Sequence, residues 1–274
     1  MRGSHPLAFV LSIAAFSVPG FATTTFSETG GEQQFVIPTT GIYEILAYGA
    51  SGGDGNGTVG GLGAEVGGDY LFSAGTTLDI YVGQAGAGGS SGGGGGGGTF
   101  LVLDSSTSTP FLIAGGGGGA QSSVHNGGSG LSTIVNSGNG GSAGGTAGGG
   151  GGFFSGGSNG SLAECTITGG AGFPTLTGGT EHVHGGYGGG GSTCFDDGGG
   201  GGGYGGGNGG NSSAGGGGGS YIDPGFSNVI STSGENSGAG FVTLTAIPEP
   251  ASLALVLAGL AAIAWRRASR SHSI

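Results

Sequence analysis

The sequence predicts an all-β body, a jelly-roll sandwich joined to a bundle of extended polyglycine helices, with hydrophobic targeting helices at the two chain ends. Three observations carry this reading. Apolar and polar residues alternate at period two between Thr23 and Gly83, and no useful helical period occurs away from the ends. Glycine supplies 80 of the 274 residues, against a usual share of about one in fourteen.

Residues 1–22 begin with Arg2, continue as an apolar run from Leu7 to Val18, and end in Pro19-Gly20-Phe21-Ala22. This is the pattern of a secretory signal peptide, with cleavage expected after Ala22. A buried helix is the alternative, but Pro19 and Gly20 break helices and polar Thr23-Thr24-Thr25 follows. The body then spans residues 23–247, with sandwich strands expected mainly over 33–114 and 220–246. Gln34-Phe35-Val36-Ile37, Ile42 to Tyr48 and Thr77 to Val82 read as strands. In the last of these, Leu78, Ile80 and Val82 share one face while Thr77, Asp79 and Tyr81 share the other, which predicts a sheet packed on one side only. Further strands are expected at Phe100 to Leu103, Phe111 to Ala114, Ser220 to Ile222 and Gly240 to Thr245. The last must return beside the first ones, as it does in a jelly roll.

The polyglycine bundle is expected mainly over residues 85–219. Between Ala85 and Ile222, 58 of 138 residues are glycine, including runs such as Gly92 to Gly98 and Gly198 to Gly203. Glycine loses the most backbone freedom on folding and brings no side chain to bury, so disorder is the first alternative. Collagen is the second, and it fails because glycine does not recur strictly at every third residue and proline is scarce. Side-by-side extended helices with three residues per turn remain. They lack internal hydrogen bonds, so each N–H and C=O must bond a neighbouring segment, and only chains without Cβ atoms approach closely enough on all sides. Phe153-Phe154, Phe173, Tyr187, Phe195, Tyr204 and Tyr221 punctuate the runs, which a flexible Gly/Ser linker would not need.

The far end reads Pro248-Glu249-Pro250, an uncharged apolar stretch over 251–265, then Arg266-Arg267-Ala268-Ser269-Arg270. Fifteen helical residues span about 22 Å, short of a hydrocarbon core of roughly 30 Å. The arginines are expected to stay cytoplasmic. Residues 248–270 resemble the PEP-CTERM sorting signal of Gram-negative bacteria. The resemblance implies recognition by an exosortase, transient tethering in the inner membrane, processing near the Pro-Glu-Pro, and delivery to the cell surface or extracellular matrix. A permanent single-span anchor is the alternative.

Within the body, Gly41-Ile42-Tyr43, Ala47-Tyr48-Gly49-Ala50-Ser51-Gly52-Gly53, Gly61 to Glu65, Ala74 to Gly86, Gly96 to Phe100 and Leu112-Ile113-Ala114 form an ordered series of blocks. It resembles the glycine-rich extracellular domain of the anaplastic lymphoma kinase and leukocyte tyrosine kinase receptors. That resemblance, from about Phe35 to Ala246, implies a tumour-necrosis-factor-like sandwich joined to polyglycine helices. In those receptors the domain binds a protein ligand. The present chain lacks their kinase region and ends in a bacterial-type tail, so that function is not carried over.

The formal net charge is −11, and no Lys or Arg lies between Thr23 and Ile247. Nucleic acid is thereby excluded as a partner, because its affinity rests on phosphate neutralisation. The complete absence of lysine also removes Walker-A nucleotide binding and Schiff-base chemistry. Cys165 and Cys194, both in the exported body, are expected to pair, with a metal site or free thiols as alternatives. Asp54, Asn56 and Thr58 with Glu65 stand at calcium-loop spacing, although Val59 occupies the position where that loop needs glycine. Calcium is the one cofactor entertained. His182 and His184 form a pair suited to a transition metal but short of a complete ligand set. Asp196-Asp197 reads as a hydrated turn. No triad can be assembled around His125 and Ser122-Ser123. The expected function is noncatalytic: an exported surface or matrix protein with a scaffold or adhesion role, in contact with extracellular polysaccharide or a surface protein. The alternative is a ligand-binding module that recognises a protein or glycan through the sandwich surface.

Overall fold

The computed structural model describes residues 23–104, 108–248 and the isolated position 259. The expected signal peptide at 1–22 and, apart from position 259, the apolar stretch at 251–265 lie outside the described residues. Among the described residues ten strands form two antiparallel five-stranded sheets. The first sheet is built from β1 (Thr23–Ser27), β3 (Gly41–Tyr48), β4 (Gly63–Phe72), β9 (Ser227–Asn236) and β10 (Phe241–Ile247), in the order β1-β10-β3-β4-β9. The second holds β2 (Glu32–Val36), β5 (Thr77–Tyr81), β6 (Thr99–Leu103), β7 (Leu112–Ala114) and β8 (Tyr221–Ile222), in the order β2-β5-β6-β7-β8. The only helical element longer than one residue among the described residues is a 3-10 turn at Asn136–Gly138.

Alternation sets the inner faces. On β3, Tyr43, Ile45 and Ala47 point inward and join Val66, Val242 and Leu244 of the same sheet. Across the gap they meet Leu78, Ile80, Leu101, Leu112 and Ala114 of the second sheet. The late strand β10 does return beside the early ones, pairing with β3 on one side and β1 on the other. Thr23, the first residue of β1, lies opposite Thr245, with their hydroxyls 2.8 Å apart. The body therefore begins and ends at neighbouring positions.

The second sheet departs from the one-sided packing that the alternation in Thr77 to Val82 predicts. The second sheet is covered on both faces, so β5 is not packed on one side only: Asp79 is 3% exposed and Tyr81 is 7% exposed. The outer cover consists of aromatic side chains carried between the glycine runs. Tyr81, Phe100, Val102 and Ile113 form a second core with Phe153, Leu176 and Tyr204, flanked by Phe173, Tyr187 and Tyr221. Strands β6 and β7 accordingly read as continuous apolar runs, Phe-Leu-Val-Leu and Leu-Ile-Ala, because both of their faces are buried.

The glycine tracts bond to one another with a repeat of three residues. In the tract Gly92 to Gly98, Gly93 and Gly96 donate to the carbonyls of Ala120 and Gly117, Gly94 and Gly97 to Ala87 and Gln84, and Gly95 and Gly98 to Gly191 and Gly188. The same tract accepts from Ala50 and Gly53, from Gly199 and Gly202, and from Gly186. Successive residues thus face different neighbours, and every third residue returns to the same one. Neighbours come this close because no Cβ intervenes: one added at Gly95 would fall on the carbonyl oxygen of Gly200.

Candidate functional site

Three places in this framework bear on function: a disulfide-braced corner of the glycine tracts, an aromatic cleft, and the exit of the chain toward its tail.

At the corner, Cys165 and Cys194 form a disulfide across 29 residues, with Cα atoms 6.6 Å apart. Asp197 beside it is buried, 6% exposed, and differs from the hydrated turn the sequence suggests. Its carboxylate accepts from the Thr146 hydroxyl at 2.6 Å and from the Ser213 amide at 3.0 Å. Thr193 donates to the carbonyl of Asp197 at 2.7 Å. These bonds fasten three separate segments, around Thr146, Thr193 to Asp197 and Ser213.

The aromatic cleft, of about 490 Å³, is lined by Tyr81, Ser108, Phe153, Phe154, Phe173 and Pro174. Strand β5 supplies Tyr81 and the segments between glycine runs supply the phenylalanines. Phe173 stacks on Phe153 with ring centroids 4.9 Å apart and planes 6° from parallel, and Tyr81 meets Phe173 edge-on at 5.4 Å. Phe154 stands out into solvent, 58% exposed. The Tyr81 hydroxyl donates to the Glu32 carboxylate at 2.8 Å. Burial, with help from that carboxylate, pushes the Tyr81 phenol far above its usual range. It stays a donor at any physiological pH. Burial likewise raises the Asp79 carboxyl, and nearby Glu32 and Asp104 add to the rise while the hydrogen bond from Gln34 opposes it. Ring faces in an open cleft suit noncovalent binding of a flat or apolar group.

The calcium-spaced residues are placed apart in role. Asp54 accepts from the Gly60 amide at 2.9 Å, Thr58 bonds the carbonyl of Gln121, and Glu65 on β4 accepts from the Tyr48 hydroxyl at 2.6 Å. Asn56 is exposed in the loop. His182 and His184 are both exposed and flank Val183, which bridges to Thr193. Among the described residues no group of three His, Cys, Asp or Glu side chains gathers to hold a metal ion. His125 is matched through Nδ1 to the Gln121 side chain. The sequence did not reveal the cleft. Its one signal was the recurrence of aromatics between glycine runs, which indicates order without indicating which rings meet.

At the exit, Ala246 and Ile247 end β10 opposite Tyr43 and Ile42. Pro248 closes the described body, and Glu249, Pro250, Arg266 and Arg267 lie outside the described residues. Among the described residues no helix is long and apolar enough to cross a membrane. Residues 246–268 match the PEP-CTERM protein-sorting motif. No curated protein matches the chain. The chain therefore carries a PEP-CTERM sorting motif, which supports export through exosortase-type sorting.

Proposed function

We propose that this is a noncatalytic protein of the cell surface or extracellular matrix with a scaffold or adhesion role, exported and then sorted through residues 248–270. The observation that carries the reading is the sorting motif that starts in the last two residues of the final strand of a densely hydrogen-bonded body. In this reading the body is a tumour-necrosis-factor-like jelly roll whose glycine tracts are extended helices of three residues per turn. Their three-residue bonding repeat supports that assignment. The tail is recognised by an exosortase, tethers the chain transiently in the inner membrane, and is processed near Pro248-Glu249-Pro250. The 14 carboxylates between Thr23 and Ile247, with no Lys or Arg among them, repel anionic polymers unless divalent cations bridge the two. Calcium then acts collectively across the surface, without a dedicated cage.

The test is the intact mass and location of the mature protein in strains with and without the sorting machinery. A shortened, surface-retained protein only where the machinery is present supports the reading. Identical mass and location in both strains would remove it. Retention that falls on chelation is expected, and retention indifferent to chelator would refute the role given to calcium.

A second reading, a binding module for a protein or glycan, is favoured by the aromatic cleft. Its discriminating test is titration of the purified body with polysaccharide from its own cell surface. Saturable binding that Phe154→Ala abolishes would support the module over the scaffold.

A further inference from the structure

Ile42, Leu71 and Ile247 occupy one rung of the first sheet. Ile247 pairs with Ile42 and Ile42 pairs with Leu71, so all three side chains share a face. It is the face turned away from the core, since the neighbouring inward rung holds Ala246, Tyr43 and Tyr70. The three are 37%, 45% and 68% exposed. This is also the last outward rung at that end, because β3 begins at Gly41, β4 ends at Phe72 and β10 ends at Ile247. The sorting motif matches from residue 246, so its first two positions are already part of the sheet. One residue, Pro248, separates the apolar rung from Glu249.

We infer that this rung is a docking surface for the membrane-embedded sorting enzyme, which reads the folded end of the sheet together with the tail. The inference rests on the sorting function proposed above. Ile42 and Leu71 lie on the same rung as Ile247, the second position of the matched motif, and so stand within reach of an enzyme that engages the motif's start. A small apolar patch suffices, because the tail holds it at high effective concentration beside its partner. The occupant is a protein and not the bilayer surface. The next outward rung carries Glu44 and Asp69 between Thr245 and Ser227, and the body offers no Lys or Arg to anionic headgroups. A protein can present an apolar seat with a basic rim that fits both rungs.

The experiment follows conversion of tail-bearing precursor to mature protein in the secreting host, using the full chain. Leu71→Thr, and Ile42→Thr with Leu71→Thr, remove the apolar surface while keeping residues suited to strands. Precursor is expected to accumulate several-fold with the Cys165–Cys194 bond intact, while Val59→Thr and Val229→Thr, exposed elsewhere, convert like the parent. Parental conversion of the rung variants overturns the inference. Accumulation accompanied by loss of the disulfide is misfolding and also overturns it. Binding of the purified body to phosphatidylglycerol vesicles that Leu71→Thr abolishes would overturn it in favour of a lipid contact. Pro248→Ala with Glu249→Ala separates the two levels: if that variant also matures normally, the sorting function itself fails, whereas a block confined to it refutes the rung alone.

Discussion

A single methyl group tests how the glycine tracts pack. A Cβ at Gly95 would fall on the carbonyl oxygen of Gly200, and one at Gly117 on that of Gly61, whereas Gly31 faces open space. Those carbonyls belong to tracts held on several sides, so they cannot move away alone. Gly95→Ala is expected to cost about 3 kcal/mol, and Gly31→Ala less than about 0.5 kcal/mol. Denaturant midpoints of the purified body measure both, and equal effects would contradict close packing. Asp79 supplies a pH prediction. Its carboxyl is raised chiefly by burial, so the folded state holds the proton more tightly than the unfolded chain does. The associated stability is fully present below the ordinary carboxylate range and is lost as pH rises through the raised folded value. Asp79→Asn keeps an acceptor for the Gln34 amide and removes the titration. It should raise the unfolding temperature at pH 7 and narrow the gap to the parent in acid. A variant less stable at pH 7 would contradict the assignment.

Among the elements, the Cys165–Cys194 bond closes a 29-residue span within the glycine-dense part. Reduction is expected to destabilise the body by about 3.5 kcal/mol in the chain-entropy treatment. Because the bond lies far in sequence from β3, β5 and β6, protease nicking of the reduced protein should fall first between residues 160 and 198; first cuts within those strands would contradict this. The strands legible in the sequence were those with apolar alternation or apolar runs, namely β2 from Gln34 onward, β3, β5, β6, β7 and β10, together with the short β8 inside Ser220 to Ile222. Three escaped. Strand β1 lies against the expected cleavage site, and its threonines read there as a polar end. In β4, Gly67 and Gly68 interrupt the alternation, and Gly68 takes φ +146° where the register with β9 shifts. Strand β9 is a mostly exposed edge strand in which Val229 and Ile230 are the only apolar side chains among Ser, Thr, Asn, Gly and Glu, so periodicity had little apolar material to act on. The cleft was invisible for a different reason: Tyr81 and Phe173 meet only after the chain has crossed 92 positions, and nothing local encodes that approach.

The whole body is a β-sandwich whose second sheet is also the floor for a block of glycine tracts. Ordering glycine costs about 1–2 kcal/mol per residue in backbone entropy, and a tract with no side chains can offset that only through backbone hydrogen bonds. Those bonds are individually worth about 1 kcal/mol, so the tracts are stable together and not singly. The aromatic second core ties them to the sandwich. Among the described residues no buried side-chain polar atom lacks a partner, which leaves water little reason to enter. A body built this way is stiff, carries no cations, and passes its tail out from the last rung of its first sheet. Amide hydrogen exchange on the purified, tail-free body tests this most directly. The amides of Gly93–Gly97, Gly116–Gly119 and Gly199–Gly202, each bonded to a carbonyl of another segment, should exchange as slowly as those of β3 and β6. Exchange of these glycines within seconds, while the strands stay protected, would contradict the account.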